Sequence, residues 1–117
     1  DYDAAVAIAL ENIESVSVSI ATHNEESTLN AIELAQKLQI PENHPHLNFA
    51  QLLGMSDHIS FNLAKAGYRV SKYMPYGPVA DVLPYLIRRA QENSSVSGQM
   101  SRELQLHHIE MKRRRLL

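Results

Sequence analysis

Residues 16–21 read Val16-Ser17-Val18-Ser19-Ile20-Ala21, an alternation of β-branched apolar and small side chains with the period of two that predicts a β-strand. Two further strand-like runs follow at 47–53 and 68–73. Helical periodicity predicts helices over 3–13, 25–38, a short stretch from Ser56 to about 66, 79–93 and 102–115, with a polar linker at 94–101. The predicted order is therefore α-β-α-β-α-β-α-α.

Strands that alternate with helices indicate parallel βαβ units and an α/β fold. The predicted strands recur every ~25–30 residues, the spacing of a (β/α) barrel, but a closed barrel needs about eight strands and ~250 residues. Three strands alone would leave two open parallel edges, which are a liability in water. We therefore expect the C-terminal three-eighths of a (β/α)8 TIM-like barrel, completed by other polypeptide segments.

Composition narrows the class of protein further. The chain has 117 residues, 44% of them hydrophobic and 21% charged, which is typical of one folded domain. It contains no apolar run near the ~20 residues of a membrane span. It also has no Cys, which excludes disulfides, thiolate metal sites and cysteine nucleophiles.

Charge is distributed unevenly along the chain. Residues 1–50 carry eight acidic side chains and one basic one, whereas residues 51–117 carry five acidic and ten basic ones. Four of the bases are consecutive, at Lys112, Arg113, Arg114 and Arg115. Such a cluster is either a solvated helix end, where cations suit the helix dipole, or a contact for an anionic membrane surface. No recognition motif accompanies it, so a nucleic-acid partner is not expected.

The helix predicted over 79–93 carries the most informative pattern. At 100° per residue one arc gathers polar and aromatic side chains, namely Tyr85, Arg88, Arg89 and Glu92. The adjoining arc is apolar and is expected to pack on the sheet, with Val82, Leu83, Leu86, Ile87 and Ala90. Paired guanidinium groups bind a carboxylate bidentately, and Glu92 is spaced to orient one of them. The same spacing also fits an exposed helix face with ion pairs.

Further candidates lie where two of the predicted strands end. Thr22 and His23 follow the first strand, and Tyr73 ends the third. Ligands of α/β folds bind beyond the carboxyl ends of the strands, so these side chains are expected on the same face as a site. The histidines show no metal-ligand spacing, and no metal site is predicted. A glycine-rich phosphate loop is also absent from the sequence.

Four segments resemble the proline dehydrogenase family, in its eukaryotic mitochondrial form. They are Ala21-Thr22-His23-Asn24, Gln51-Leu52-Leu53-Gly54-Met55-Ser56-Asp57, Lys72-Tyr73-Met74-Pro75-Tyr76-Gly77-Pro78-Val79 and Leu83-Pro84-Tyr85-Leu86-Ile87-Arg88-Arg89-Ala90-Gln91-Glu92-Asn93-Ser94-Ser95. The resemblance spans essentially the whole chain. It assigns residues 1–101 to the last βα units of the family's barrel and leaves 102–117 as a C-terminal basic helix.

The resemblance implies a distorted (β/α)8 barrel that holds FAD. The family oxidises L-proline to 1-pyrroline-5-carboxylate in proline catabolism, passes the electrons to a quinone and lies on the matrix side of the mitochondrial inner membrane. The earlier strands of the family supply a substrate-binding lysine, an aspartate and a glycine-containing FAD loop, none of which this chain contains. We therefore expect the isolated chain to be inactive without the remaining barrel.

The same resemblance assigns roles to particular residues. It places Arg88 and Arg89 on the substrate carboxylate, Tyr73, Tyr85 and Leu52 around the proline ring, Thr22 and His23 on FAD, and Glu92 behind the arginine pair. Relatives that prefer 4-hydroxyproline carry a smaller residue in place of Tyr73, so L-proline is the expected substrate. A hydroxyproline-type dehydrogenase and a non-catalytic interaction fragment are the alternatives.

Overall fold

A computed structural model of the chain describes residues 1–95 and 97–116, except for the side chains of residues 92–101 and of Glu103. The elements, in chain order, are α1 (Tyr2–Glu11), β1 (Val18–Ala21), α2 (Glu25–Lys37), β2 (Leu47–Leu52), α3 (Asp57–Lys65), β3 (Val70–Tyr73), α4 (Val79–Ser95) and α5 (Ser97–Arg113). This order agrees with the order predicted from the sequence. Residues 1–74 form one compact unit and residues 75–117 a second.

The first unit is built on a three-stranded sheet in the order β1-β2-β3. Both strand pairs are parallel, with Val18 opposite Leu47 in one pair and Phe49 opposite Val70 in the other. The α/β class with a parallel sheet is therefore confirmed. Parallel pairing needs crossover connections, and α2 and α3 supply them.

The hydrophobic core lies on one face of this sheet. Alternate strand residues point to it, and Ile20, Leu47 and Phe49 are almost completely buried. The helices add apolar side chains to the same core, among them Val6, Leu10, Ala31, Ala35, Ile59 and Leu63. The ring of Tyr68 packs edge-on against Phe49, with centroids 5.3 Å apart. Burial of these side chains accounts for the periods of 3.6 and 2 seen in the sequence.

The opposite face of the sheet carries small and polar side chains, and it is exposed or half-buried. Asn48 links the three strands there, because its amide nitrogen donates to Ser19 Oγ and its amide oxygen accepts from Ser71 Oγ, both at 3.1 Å. Ala21 and Ala50 lie opposite each other in register, toward the carboxyl ends of their strands. This face is therefore lined by side chains that occupy little space.

The second unit consists of α4 and α5, which contact each other. The polar linker predicted at 94–101 is wrong, since α4 continues to Ser95 and α5 begins at Ser97; Val96 lies outside the described residues. Serine and glutamine cost a helix only a few tenths of a kcal/mol per residue, and one glycine about 1 kcal/mol. A polar composition therefore did not exclude a helix. Within residues 1–95 and 97–116, no helix is long and apolar enough to cross a membrane.

Candidate functional site at the carboxyl ends of the strands

Leu52 and Tyr73 are brought together at the ends of β2 and β3. They are opposite each other in the parallel register and point away from the hydrophobic core, on the same face as Ala50. Leu52 is half-buried, and Tyr73 is 53% exposed. An aliphatic wall beside an accessible phenol ring is an arrangement that packs against the methylenes of a small ring.

Thr22 and His23 follow the last residue of β1 at the same end of the sheet. Thr22 Oγ1 accepts a hydrogen bond from the Asn24 backbone N–H at 3.1 Å, and Asn24 Oδ1 caps α2 by accepting from the Ser27 N–H at 3.0 Å. Asparagine is a common helix cap and glutamates suit the first turn of a helix, so the sequence Asn24-Glu25-Glu26 is itself the signal for this cap. His23 is half-buried, and its Nδ1 lies 2.8 Å from Ser56 Oγ.

A buried polar cluster, formed by Gln51, Ser56 and Ser60, lies below these residues and was not predicted. Their exposed fractions are 3%, 2% and 5%. Ser60 Oγ donates to Gln51 Oε1 at 2.8 Å and lies 3.2 Å from the Ser56 carbonyl oxygen, while Gln51 Nε2 donates to the Thr22 carbonyl at 3.4 Å. The signal was Gln51 itself, which occupies the buried position of an alternation that begins with Leu47 and Phe49.

Ser56 is the N-cap residue of α3, yet its side chain makes no capping hydrogen bond. Its backbone is left-handed, with φ 51° and ψ 41°, a conformation that costs a residue other than glycine roughly 1–2 kcal/mol. Gly54, two residues earlier, also has a positive φ of 79°. The loop between β2 and α3 therefore holds Ser56 in an unfavourable conformation, with its hydroxyl directed to His23 rather than to the helix.

Lys72, a residue of β3, forms hydrogen bonds with the same loop. Its role was not predicted from the sequence. Its Nζ donates to the carbonyl oxygens of Met55 at 2.5 Å and Leu52 at 3.4 Å, and it lies 2.8 Å from Asp57 Oδ1. The side chain of Lys72 is 23% exposed and that of Asp57 is 42% exposed. A single ammonium group thus joins the end of β2, the loop and the first turn of α3 to the neighbouring strand.

A further link joins α2 to α3. His58 Nε2 lies 2.9 Å from Glu25 Oε1, and both side chains are partly buried. Three links therefore connect the turn after β1 and the start of α2 with β2, its following loop and the start of α3: Thr22 to Gln51, His23 to Ser56, and Glu25 to His58. These links hold the predicted Thr22–His23 pair against the segment that follows Leu52.

In the second unit, α4 carries the predicted arginine pair. The Arg89 guanidinium carbon lies 5.3 Å from the centroid of the Tyr85 ring, a cation–π contact. Arg89 and Tyr85 are half-buried, and Arg88 is exposed. Glu92 lies in α4, but its side chain is outside the described residues, so its predicted support of the arginines stays a prediction.

The apolar arc of α4 is half-exposed, and its predicted packing on the sheet stays a prediction, because α4 and the sheet belong to separate compact units. Leu83, Leu86 and Ile87 are 49%, 45% and 47% exposed. Helical periodicity identifies an apolar face but not the segment that covers it, and α4 has half-exposed leucines on this face.

The basic cluster at the end of the chain is partly neutralised by its own helix. Glu110 accepts hydrogen bonds from Arg113 and Arg114 at 2.6–2.7 Å. These hydrogen bonds lower the pKa of Glu110 to about 2. Lys112, Arg113, Arg114 and Arg115 are all exposed to solvent. In the part of the chain that the structure describes, no group of three or more His, Asp or Glu residues is placed to hold a metal ion.

Comparison with known proteins shows one consistent relationship. The family model described as proline dehydrogenase matches residues 1–102. The chain is 48% identical over 104 residues to hydroxyproline dehydrogenase of Xenopus laevis, covering 89% of this chain and 22% of that protein. It is 47% identical over 105 residues to mitochondrial proline dehydrogenase 1 of Homo sapiens, covering 90% of this chain and 18% of that protein.

A solved structure is similar in fold as well as in sequence. Proline utilization A from Bdellovibrio bacteriovorus, inactivated by N-propargylglycine, superimposes with a TM-score of 0.73 at 33% identity. The match covers 82% of this chain and 10% of that protein. The chain thus spans about a fifth of the length of the curated relatives that it matches.

Proposed function

Because the chain belongs to the proline dehydrogenase family, we propose that it is the C-terminal three-eighths of a (β/α)8 barrel completed by other polypeptide segments. Three parallel strands in sequential order, with β1 and β3 at the edges of the sheet, support this proposal. The half-exposed apolar arc of α4 supports it too, because further barrel segments would cover that surface.

The whole enzyme, in this proposal, oxidises L-proline to 1-pyrroline-5-carboxylate in proline catabolism, with FAD as cofactor and a quinone as electron acceptor. The observation that carries the proposal is the family match over residues 1–102, which contain Leu52 and Tyr73, paired in register, and the turn of Thr22 and His23. These residues lie at the carboxyl ends of the strands, where α/β enzymes bind their ligands.

The residues of this chain fit FAD as the cofactor. Ala21 and Ala50 leave room beside the sheet on the face away from the core, and a half-buried hydroxyl and imidazole follow β1. Thr22 and His23 are the residues that would hold the cofactor, through hydrogen bonds from polar groups that are already oriented by Asn24 and Ser56. When bound, FAD supplies the acceptor for the hydride removed from proline.

The remaining site residues bind and orient the substrate. Arg88 and Arg89 take the proline carboxylate in a charge-assisted, bidentate contact, and Glu92 supports the pair. The ring of Tyr85 holds the Arg89 guanidinium by its cation–π contact. Leu52, Tyr73 and Tyr85 pack against the ring methylenes and exclude water from them.

Hydroxyproline is the second candidate substrate, because relatives named hydroxyproline dehydrogenase are 48–50% identical to the chain. The phenol of Tyr73 favours proline. A bulky ring against C4 leaves no room for a hydroxyl, and burying an unpaired hydroxyl costs roughly 1–3 kcal/mol.

The relatives named as mitochondrial support a mitochondrial location for the enzyme, and we place it on the matrix side of the inner membrane, where it reaches the quinone. The proposed contact with the anionic membrane surface is the basic cluster of Lys112, Arg113, Arg114 and Arg115. The pairing of Glu110 with two of them reduces the net charge that such a contact has available.

The arginine pair provides the sharpest test of the proposal. In the complete FAD-loaded enzyme, Arg88→Met and Arg89→Met should weaken proline binding by on the order of 2–5 kcal/mol while FAD binding stays near normal. Arg69→Met is the matched control, because Arg69 is exposed and donates to the Pro45 carbonyl ahead of β3, away from its carboxyl end. The KM for L-proline measures the first effect, and titration of the apoenzyme with FAD measures the second. A normal proline affinity in either Met variant would exclude that arginine as the carboxylate receptor.

A further inference from the structure

We propose that Ser56 is the residue that positions His23, by donating its hydroxyl proton to Nδ1 and so placing the imidazole proton on Nε2. The inference rests on the proposed function, because it concerns how His23 is presented to FAD. Ser56 does not touch the cofactor in this account and acts only through the histidine.

The geometry singles out Ser56 for this role. Its Oγ lies 2.8 Å from His23 Nδ1, although the two residues are 33 positions apart in the chain. An N-cap serine ordinarily uses its hydroxyl to satisfy backbone N–H groups of the helix, but Ser56 makes no such bond. Its left-handed backbone, with φ 51°, brings the hydroxyl to the histidine instead.

The buried polar cluster holds Ser56 in this orientation. Ser60 contacts the Ser56 carbonyl oxygen and donates to Gln51, and Gln51 donates to the carbonyl of Thr22, the residue just before His23. The three polar side chains of the cluster are at least 95% buried. Buried polar groups linked in this way are costly to separate, so the serine and the histidine turn are held in a fixed relation.

The chemistry of the ligand decides the direction of the hydrogen bond. A neutral imidazole has one donor and one acceptor nitrogen, and the partner of one nitrogen sets the role of the other. FAD presents mainly acceptors, its carbonyl and phosphate oxygens, so His23 must offer it a donor. A hydroxyl that donates to Nδ1 leaves the proton on Nε2, the nitrogen that then donates to the cofactor.

Ser56→Gly separates positioning from a structural role. Glycine adopts φ 51° without strain, so the variant removes the hydroxyl while keeping the loop conformation. Gln39→Gly is the matched control, because exposed Gln39 also has a positive φ, 57°, and lies outside the site. The unfolding of both variants is measured in parallel, and a loss of FAD binding in Ser56→Gly alone, with the fold of both variants retained, reports on His23.

Two measurements test the proposal in the complete enzyme. In the apoprotein, the ¹⁵N chemical shifts of selectively labelled His23 should show a protonated Nε2, and Ser56→Gly should mix the two tautomers. Fluorescence titration with FAD should give a dissociation constant about fivefold larger for Ser56→Gly than for Gln39→Gly. In a His23→Ala background the Ser56→Gly effect should vanish.

A protonated Nδ1 in the apoprotein, or equal FAD affinities of the two glycine variants, would overturn the proposal. Persistence of the full Ser56→Gly effect without the His23 side chain would overturn it too. Failure of the proposed function is a separate outcome, because it would appear as no FAD binding by the unaltered enzyme, whereas the tautomer is measured without cofactor.

Discussion

Replacing Lys72 by methionine should weaken the loop that connects Leu52 to α3. Methionine keeps an unbranched apolar stem but removes the ammonium group that donates to the Met55 and Leu52 carbonyl oxygens and pairs with Asp57. A hydrogen bond from a charged donor contributes about 1.5–3 kcal/mol, and the 3.4 Å contact with Leu52 adds little. The ion pair adds only about 0.2–1 kcal/mol, because the Asp57 carboxylate is 42% exposed. The expected loss is therefore about 2–4 kcal/mol.

Urea denaturation of the complete enzyme measures this loss as a change in the free energy of unfolding. Asp57→Asn is the matched control, since it removes the ion pair but leaves both carbonyl contacts, and it should cost less than about 1 kcal/mol. Because Leu52 precedes the loop, Lys72→Met should also raise KM for proline more than Asp57→Asn does. Equal losses from the two variants would refute the reasoning, because they would assign the effect to the exposed ion pair.

Two further predictions follow from Tyr73 and Tyr68. Tyr73→Ser should lower kcat/KM for proline and narrow or reverse the preference over hydroxyproline; an unchanged ratio of the two kcat/KM values would show that Tyr73 does not wall the C4 side of the pocket. Burial, and secondarily Glu42, raises the pKa of Tyr68 above its ordinary value of 10.0. The stabilising effect of the protonated phenol is therefore complete below about pH 10 and is lost as the pH rises through the higher folded-state pKa. Above pH 10, the free energy of unfolding should fall less steeply with rising pH in Tyr68→Phe than in the unaltered enzyme. Identical slopes would contradict a raised pKa for Tyr68.

The strands and helices whose formation depends on neighbouring residues could be predicted from the sequence. The alternation at residues 16–21 and the strand-like run at 47–53 predicted two strands, and both form, as β1 and β2. The Asn24 cap followed from its position before two glutamates. These features rest on contacts within a few residues, which a sequence displays directly.

The contacts between distant segments were not predicted. The pairing of His23 with Ser56 depends on a left-handed backbone at a serine, for which sequence offers no rule, and on two loops that meet only in the folded sheet. Lys72 appears in sequence as an ordinary strand residue, although its ammonium group fastens the loop after β2. The segment that covers the apolar arc of α4 could not be predicted either, because periodicity identifies an apolar face but not its partner.

Reconstitution tests the central claim, that these 117 residues are part of a flavin-binding barrel and not a complete one. The chain is expressed alone and, in a second sample, together with a polypeptide that supplies the preceding five βα units of the family's barrel. The visible flavin absorption of each purified sample is recorded before and after anaerobic addition of L-proline. We predict no flavin band for the chain alone and, for the assembled pair, a flavin band that L-proline bleaches. A stable monomer of the isolated chain that binds FAD and is bleached by proline would contradict it, as would an assembled pair that takes up no flavin.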